Sequence, residues 1–368
     1  MKPRFIGLMS GTSMDGVDVA LVEFDNDIPK LIGCHSHPIT EPLLSHLHQL
    51  ADPSFDSINQ LGRMDRAVGQ LFAEATNTLL AELGIAANSI TAIGSHGQTV
   101  RHFPEGKQGF SIQIGDPNTI AVNTGIDVVH DFRSKDIALG GQGAPLVPAF
   151  HHILTSPKCE DDVNVILNIG GIANISYLTK DQIIGFDTGP GNALMDAWCR
   201  RTLKKPYDEN GALAARGKVL PALLDKLKQH PYFAMPYPKS TGRELFNLAW
   251  LEQHLEHFAN EPPENIQATL CQLTADTISD AISWLSPKGN LYVCGGGALN
   301  PVLIDAIAKD LPDYKVQSSS ALGVDPQWME AMAFAWFAKC HIERQPGNVV
   351  QVTGASRPAV LGSFTPHS

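Results

Sequence analysis

No run of apolar residues in this sequence approaches the roughly 20 needed to cross a bilayer, and residues 1–5 lack the apolar stretch and small-residue cleavage site of an export signal. Neither membrane attachment nor export is expected, and the chain reads as cytoplasmic. Positive charge is also scarce: 27 Lys and Arg stand against 38 Asp and Glu, a net charge of -11. Gripping a nucleic acid backbone takes a basic face, so no nucleic acid partner is expected. The same deficit repels anions at long range, so a phosphate site must be local, made of main-chain N–H groups, a few cations or a metal. Cysteines are few and scattered (Cys34, Cys159, Cys199, Cys271, Cys294, Cys340) with no CxxC pair, which fits reduced thiols. There is no HExxH motif. Gly211 to Lys218, the nearest approach to a P-loop, has one residue too many and is followed by Val219 where Ser or Thr is required. His35 with His37, and His46 with His48, lack further metal ligands and read as solvated.

What is present is enough chain, 368 residues and 43% hydrophobic, for two α/β domains with a core each. Apolar runs at 5–9, 17–24 and 30–34 are separated by polar turns and predict an antiparallel meander. Leu61, Met64, Val68, Leu71 and Phe72 recur at helical spacing within 57–83. A strand at 90–94 then ends in a loop at 95–99. The second half repeats the plan, with strands at 163–169, 172–178 and 183–186 and a helix opening at 193. Helices at 244–258 and 264–284 follow, then a strand at 291–294 and a last helix at 328–340. The expected division is 1–137 and 138–345, with 346–368 docking back on the first domain. Two such halves hinged about a cleft suit closure over a nucleotide.

Polar, glycine-rich segments fall at the strand ends. Gly11, Thr12, Ser13, Met14, Asp15, Gly16, Val17 and Asp18 fill the first turn; glycines there let the main chain approach a phosphate, and Asp15 is placed to hold Mg²⁺ through water. The alternative is a plain hairpin turn, which does not need so many polar residues between two apolar strands. Asn168, Gly170, Gly171 and Asn174 occupy the equivalent turn of the second half, so the two turns are expected to clamp a triphosphate from both sides. Asp187 joins a strand end to a helix start in Phe186-Asp187-Thr188-Gly189-Pro190-Gly191-Asn192; it reads as a general base, against a role as helix cap. Gly295, Gly296 and Gly297 follow a late strand and suit adenine and ribose, against a simple strand-to-helix turn. His96 at a strand end and Arg133 are candidate substrate contacts. Glu330 opens the last helix as a ligand or a first-turn acid.

Together these segments resemble the anhydro-N-acetylmuramic acid kinase family. The matching motifs are MSGTSMDGVD (9–18), GSHGQT (94–99), DFR (131–133), GGQGAPLVP (140–148), NIGGIANI (168–175), FDTGPGN (186–192), CGGGALNP (294–301) and VTGASRP (352–358). They span nearly the whole chain, and none is broken. The resemblance implies two duplicated ribonuclease-H-like domains of the actin, sugar kinase and heat-shock-ATPase superfamily around a nucleotide cleft. It implies ATP, Mg²⁺ and a homodimer formed by helices of the second half. It also implies opening of the 1,6-anhydro bridge of anhydro-N-acetylmuramic acid with phosphorylation of O6, during cell-wall recycling. Asp187 would activate water and Glu330 would orient water or sugar, while His96 and Arg133 would hold the sugar and its lactyl carboxylate. A conventional hexosamine kinase of the same superfamily is the competing reading.

Overall fold

The computed structural model describes residues 2–368 except 12, 13, 15, 26, 157–161, 243 and 244. The chain forms two compact units, one of residues up to Leu154 together with Trp328–Ser368 and one of Thr155–Gln327. The first unit's sheet contains β1 (Arg4–Ser10), β2 (Gly16–Asp25), β3 (Ile28–Pro38), β4 (Ala92–Phe103), β5 (Phe110–Ile114) and β6 (Val128–His130). The second unit's sheet contains β7 (Asn164–Ile169), β8 (Ile172–Leu178), β9 (Ile183–Pro190), β10 (Gly289–Cys294) and β11 (Tyr314–Ser318), and the chain returns to the first as β12 (Ser363–Thr365).

The two sheets share one topology. In the first the order is β12-β6-β4-β1-β2-β3, with β5 beside the far end of β4; in the second it is β11-β10-β7-β8-β9. Each opens with an antiparallel meander. Each then adds two parallel strands, β4 and β6 or β10 and β11. The meanders were expected. The fifth strand of each copy was not, because Val128–His130 has three residues and Tyr314–Ser318 alternates too weakly to stand out.

The helix Met329–Ile342 lies on β1 and β4 in the first unit. Its course is set by Gly7 and Gly94, which are register neighbours. A Cβ on Gly7 would fall inside the Ala331 carbonyl, and one on Gly94 inside the Phe334 carbonyl. The pair forms a groove that a larger residue would close. The helix Ile58–Leu83 starts where the Ser57 side chain accepts from Gln60 N and stops at Gly84, φ 63°, as cap chemistry prescribes. In the second unit the helix Pro263–Leu285 buries Ile266, Leu270, Leu273 and Ile278 among the strand residues Val165, Leu167 and Val293.

Three expectations are corrected. The compact units divide at 154/155 and 327/328 rather than 137/138 and 345/346, because the last helix packs on β1 and β4 and so belongs with them. The expected loop at 95–99 is strand: Gly97 takes φ +75° and the β1 register shifts between Leu8 and Ser10, so β4 bends and continues as a hairpin with β5. The helix expected over 244–258 is confined to Leu248–His254, followed by the single turn Glu256–Phe258. Residues 243 and 244 lie outside the described set.

Candidate active site

In the first unit the polar groups gather at the carboxyl ends of β1 and β4, where α/β sheets bind ligands. Thr12, Ser13 and Asp15 lie outside the described residues. The rest of the first turn is braced from β4: Ser10 Oγ donates to Gln98 Oε1 (2.7 Å) and lies 3.0 Å from Gly16 O, and Gln98 Nε2 donates to Gly11 O (3.3 Å). Met14 N donates to Gly11 O (3.1 Å), closing a turn in which Met14 has φ 58°. Met14 and Val17 bury their side chains in the core, so they offer a ligand main chain only.

Asp18 pairs with Met9 across β1 and β2, two residues on from Gly7, and so shares the face covered by the last helix. Glu330, in the first turn of that helix, stands near it. Burial and the Asp18 charge push the Glu330 carboxyl above its usual range, and Arg133 partly offsets them. His96 lies on the same face, its ring 4.7 Å from that of Phe334. His96 Nδ1–H donates to Gly97 O (2.8 Å), and Nε2 accepts from Arg133 Nη2 (2.7 Å). A carbonyl only accepts and a guanidinium only donates, so the ring is neutral with its proton on Nδ1. Burial and Arg133 accordingly hold His96 well below the usual imidazole range. Arg133 Nη1 donates to Gly143 O (2.7 Å), while its buried Nε has no partner among the described residues. Burial brings Arg133 down to about 10 against the opposing pull of Glu330 and Asp136. Glu330 thus feels both Asp18 and Arg133, and Arg133 is hydrogen-bonded to the neutral ring of His96, so the four side chains form one cluster in which Asp18 acts on Glu330.

Two buried histidines have consequences for stability. His96 is 5% exposed and His151 2% exposed, and burial holds His151 at about 3. Both fold neutral and would take a proton on unfolding. Their contribution is complete above the unfolded value near 6.5 and is lost as pH falls below it, by up to about 1.4 kcal/mol per pH unit for each group. Burial raises the Glu330 carboxyl above 4.5, so it holds its proton more tightly when folded and opposes the histidines between about pH 6.5 and 5, but one carboxyl against two histidines leaves the histidine effect the larger. The melting temperature is expected to fall across that window, and His96→Asn to flatten the slope by about one proton. An unchanged slope in the variant would remove His96 from this account.

In the second unit three motifs meet on one rung. Cys294 is opposite Asn168, Asn168 opposite Asn174, and Asn174 opposite Asp187. Asp187 is the partly exposed residue in the otherwise buried run Ile184–Pro190. It does not cap the following helix. Its Oδ2 accepts from Ser240 Oγ (2.8 Å) and Thr241 N (3.0 Å), its N–H donates to Lys239 O (3.1 Å), and its carbonyl accepts from Tyr232 OH (2.7 Å). Burial and Asp187 push the Tyr232 hydroxyl far above its usual range, so it stays a donor. Four contacts from the segment 232–241 therefore fix this residue. The sequence reading passed over that segment, although Lys239-Ser240-Thr241-Gly242 is a polar stretch after an aromatic, proline-rich one.

The helix Ala193–Leu203 is capped by main chain instead. Gly191 N and Ala193 N donate to Gly171 O (2.9 and 3.0 Å), and Asn192 N donates to Gly170 O (2.8 Å). The β7–β8 turn thus takes the N–H of Ala193, the first residue of the helix, and those of the two residues before it. The Gly295–Gly297 loop packs on the same turn. Gly295 (φ +80°) leaves no room for a Cβ beside Asn168 Oδ1, nor Gly297 beside Ile169. Asn300 caps the helix Pro301–Asp310 by accepting from Leu303 N. A cavity of about 280 Å³ lies beside Phe186, Thr188, Lys239 and Trp284, on the β9 face away from Asp187.

The residues fit a nucleotide with Mg²⁺. Beside Gly170 and Gly296 a Cβ would meet nothing closer than 3.6 Å, which leaves room for a ligand, and the nearby donors are oxygen and amide groups. Among the described residues no group of three or more His, Cys, Asp or Glu is placed to hold a metal. Mg²⁺ ordinarily rests on one or two carboxylates plus substrate phosphates, so no such cage is required. No helix among the described residues is long and apolar enough to cross a membrane.

Comparison with known proteins agrees with this geometry. The profile of the anhydro-N-acetylmuramic acid kinase family matches residues 3–367. An anhydro-N-acetylmuramic acid kinase of Shewanella denitrificans is 57% identical over 364 residues, 98% of each chain. One of Shewanella halifaxensis is 56% identical, again over 98% of both. Among solved structures, component A of the Acidaminococcus fermentans (R)-2-hydroxyglutaryl-CoA dehydratase shares the fold with TM-score 0.50 at 9% identity, covering 91% of this chain and 97% of that one. With two sheets of one topology, and a match from residue 3 to residue 367, the chain belongs to the anhydro-N-acetylmuramic acid kinase family.

Proposed function

We propose that this protein binds ATP and 1,6-anhydro-N-acetylmuramic acid, opens the anhydro bridge with water and transfers the γ-phosphoryl group to O6. The products are N-acetylmuramic acid 6-phosphate and ADP. The observation that carries this reading is the fixed carboxylate of Asp187, held within β9 by Ser240 and Thr241 rather than spent on a helix cap.

A 1,6-anhydro sugar has no free O6 hydroxyl, so C1–O6 must break for O6 to accept phosphate. Asp187 takes a proton from a water aimed at C1, the water oxygen bonds to C1, and the C1–O6 electron pair leaves on O6. O6 then attacks the γ-phosphorus and the bond to the β-phosphate oxygen breaks, so the phosphoryl group takes the place of a second carboxylic acid. Glu330 orients water or sugar. Arg133 pairs with the lactyl carboxylate, and neutral His96 holds Arg133 in place. The segments 10–18 and 168–174, with the Gly295–Gly297 loop, would supply the nucleotide contacts. Bound Mg²⁺ would neutralise phosphate charge, held by Asp15 or Asp18. The need for ATP places the enzyme in the cytoplasm, in cell-wall recycling. A homodimer through the second unit would cover Trp284 (61% exposed) and Met235 (49%), and a sedimentation mass of one chain would exclude it.

The test is incubation with Mg·ATP and the anhydro sugar in ¹⁸O-water. A 6-phosphorylated product carrying ¹⁸O at C1 is expected. If the anhydro sugar is untouched and a free hexosamine is phosphorylated, the protein is a conventional hexosamine kinase.

A further inference from the structure

Asp136 is fully buried, 0% exposed, and the steps above do not use it. Its Oδ1 accepts from Asn348 Nδ2 and from Thr353 Oγ1, both at 2.8 Å, and its Oδ2 accepts from Gly143 N at 2.8 Å. Gly141 packs so closely on this carboxylate that a Cβ there would overlap it. Two donors come from the C-terminal segment and one from the loop that follows Arg133. The segment is tied to the same loop by main chain: Gln142 N donates to Thr353 O (2.8 Å) and Ser356 N to Leu139 O (2.9 Å). Asn348 Oδ1 meanwhile accepts from Ala359 N (2.7 Å), which fixes the segment on itself.

Gly143 is the link to the site. Its N–H is held by Asp136 and its carbonyl accepts from Arg133 Nη1, while Arg133 Nη2 reaches His96. We propose that Asp136 is a positioning residue through which Asn348 and Thr353 of the C-terminal segment set the guanidinium of Arg133, and with it His96. A buried carboxylate with three donors is costly to disturb, since loss of one partner strands the others. A carboxylate near the guanidinium also favours its charge. The segment is then part of the sugar-binding apparatus without touching sugar. This inference rests on the proposed function for what Arg133 holds, but the geometry of Arg133 and His96 can be read without any substrate.

The test compares Asp136→Asn, Thr353→Val and Thr353→Ser with the unaltered protein. Expected for the first two is a rise of at least about tenfold in KM for the anhydro sugar, with kcat and KM for ATP within about twofold, the mark of lost ground-state binding. Thr353→Ser keeps the hydroxyl and should restore KM. In parallel, ¹⁵N NMR of the His96 imidazole should show an accepting Nε2 in the unaltered protein and in Thr353→Ser, and loss of that hydrogen bond in Thr353→Val. A Thr353→Val variant with a lower melting temperature, an unchanged sugar KM and an unchanged His96 signal would overturn the proposal and leave Asp136 a purely structural knot. If Asp136→Asn does not fold, Thr353→Val decides. If the unaltered protein does not act on the anhydro sugar, the proposed function fails, and the His96 signal alone decides the positioning role.

Discussion

Asp187→Asn is expected to lower kcat by roughly 10³- to 10⁴-fold, the upper part of the range for a positioned general base. The amide can still accept from Ser240 Oγ and Thr241 N, the two contacts made by Oδ2, so the cost in stability should be no more than about 1 kcal/mol. What it cannot do is take a proton from water. The loss should fall on kcat, with KM for ATP little changed, because no nucleotide-binding role is given to this residue. An assay of ADP release beside calorimetry separates the two quantities. Retention of more than a tenth of the activity would mean another group activates the water. Ser240→Ala should weaken rather than abolish turnover, because the main-chain donor of Thr241 remains.

A second large effect is expected from a single methyl group. Gly94→Ala puts a Cβ where the Phe334 carbonyl stands, and Gly7→Ala puts one at the Ala331 carbonyl. Both obstacles are helix main chain, so no rotamer change relieves them, and the helix Met329–Ile342 must lift from the sheet. A destabilisation of about 3 kcal/mol is the expected scale for such overpacking. At roughly 2–4 °C per kcal/mol for a unit of this size, the melting temperature falls by about 6–12 °C. Activity should fall further than stability, since Glu330 begins that helix and Phe334 backs His96. Gly62 supplies the contrast. It lies exposed inside the helix Ile58–Leu83 with nothing within 4 Å of a Cβ, so Gly62→Ala should stabilise by about 0.5–1 kcal/mol. Equal melting temperatures for Gly62→Ala and Gly94→Ala would contradict the groove.

The meanders and the polar strand tips could be read from sequence because they depend on short-range pattern. Runs such as Val163–Ile169 and turns such as Gly170-Gly171 carry their own signal. Asp187 stood out as a carboxylate between an apolar strand and a helix start, although β9 in fact continues past it to Pro190. What escaped was whatever depends on distant partners. Val128–His130 is strand because β4 and β12 flank it, and His96 is strand because Gly97 lets β4 bend. Asp18 gains its place from the cross-strand register with Met9, which turn composition does not reveal. Asp136 lies more than two hundred positions before Asn348 and Thr353, and no local periodicity could join it to them.

The discontinuity of the first unit governs the order in which the chain can be made. Residues up to Leu154 leave the ribosome well before Trp328–Ser368, while the second unit is one continuous stretch. Synthesis of that stretch takes on the order of ten to thirty seconds at ordinary elongation rates. For that time β1, β2 and β4 lack the helix that fills the groove over Gly7 and Gly94, and Phe334 and Phe337, both fully buried in the finished protein, do not yet exist. The second unit can therefore complete its fold first, and the first waits with an apolar sheet face open. The nascent chain is most exposed to aggregation in that interval, and helpers that shield apolar surfaces matter most then.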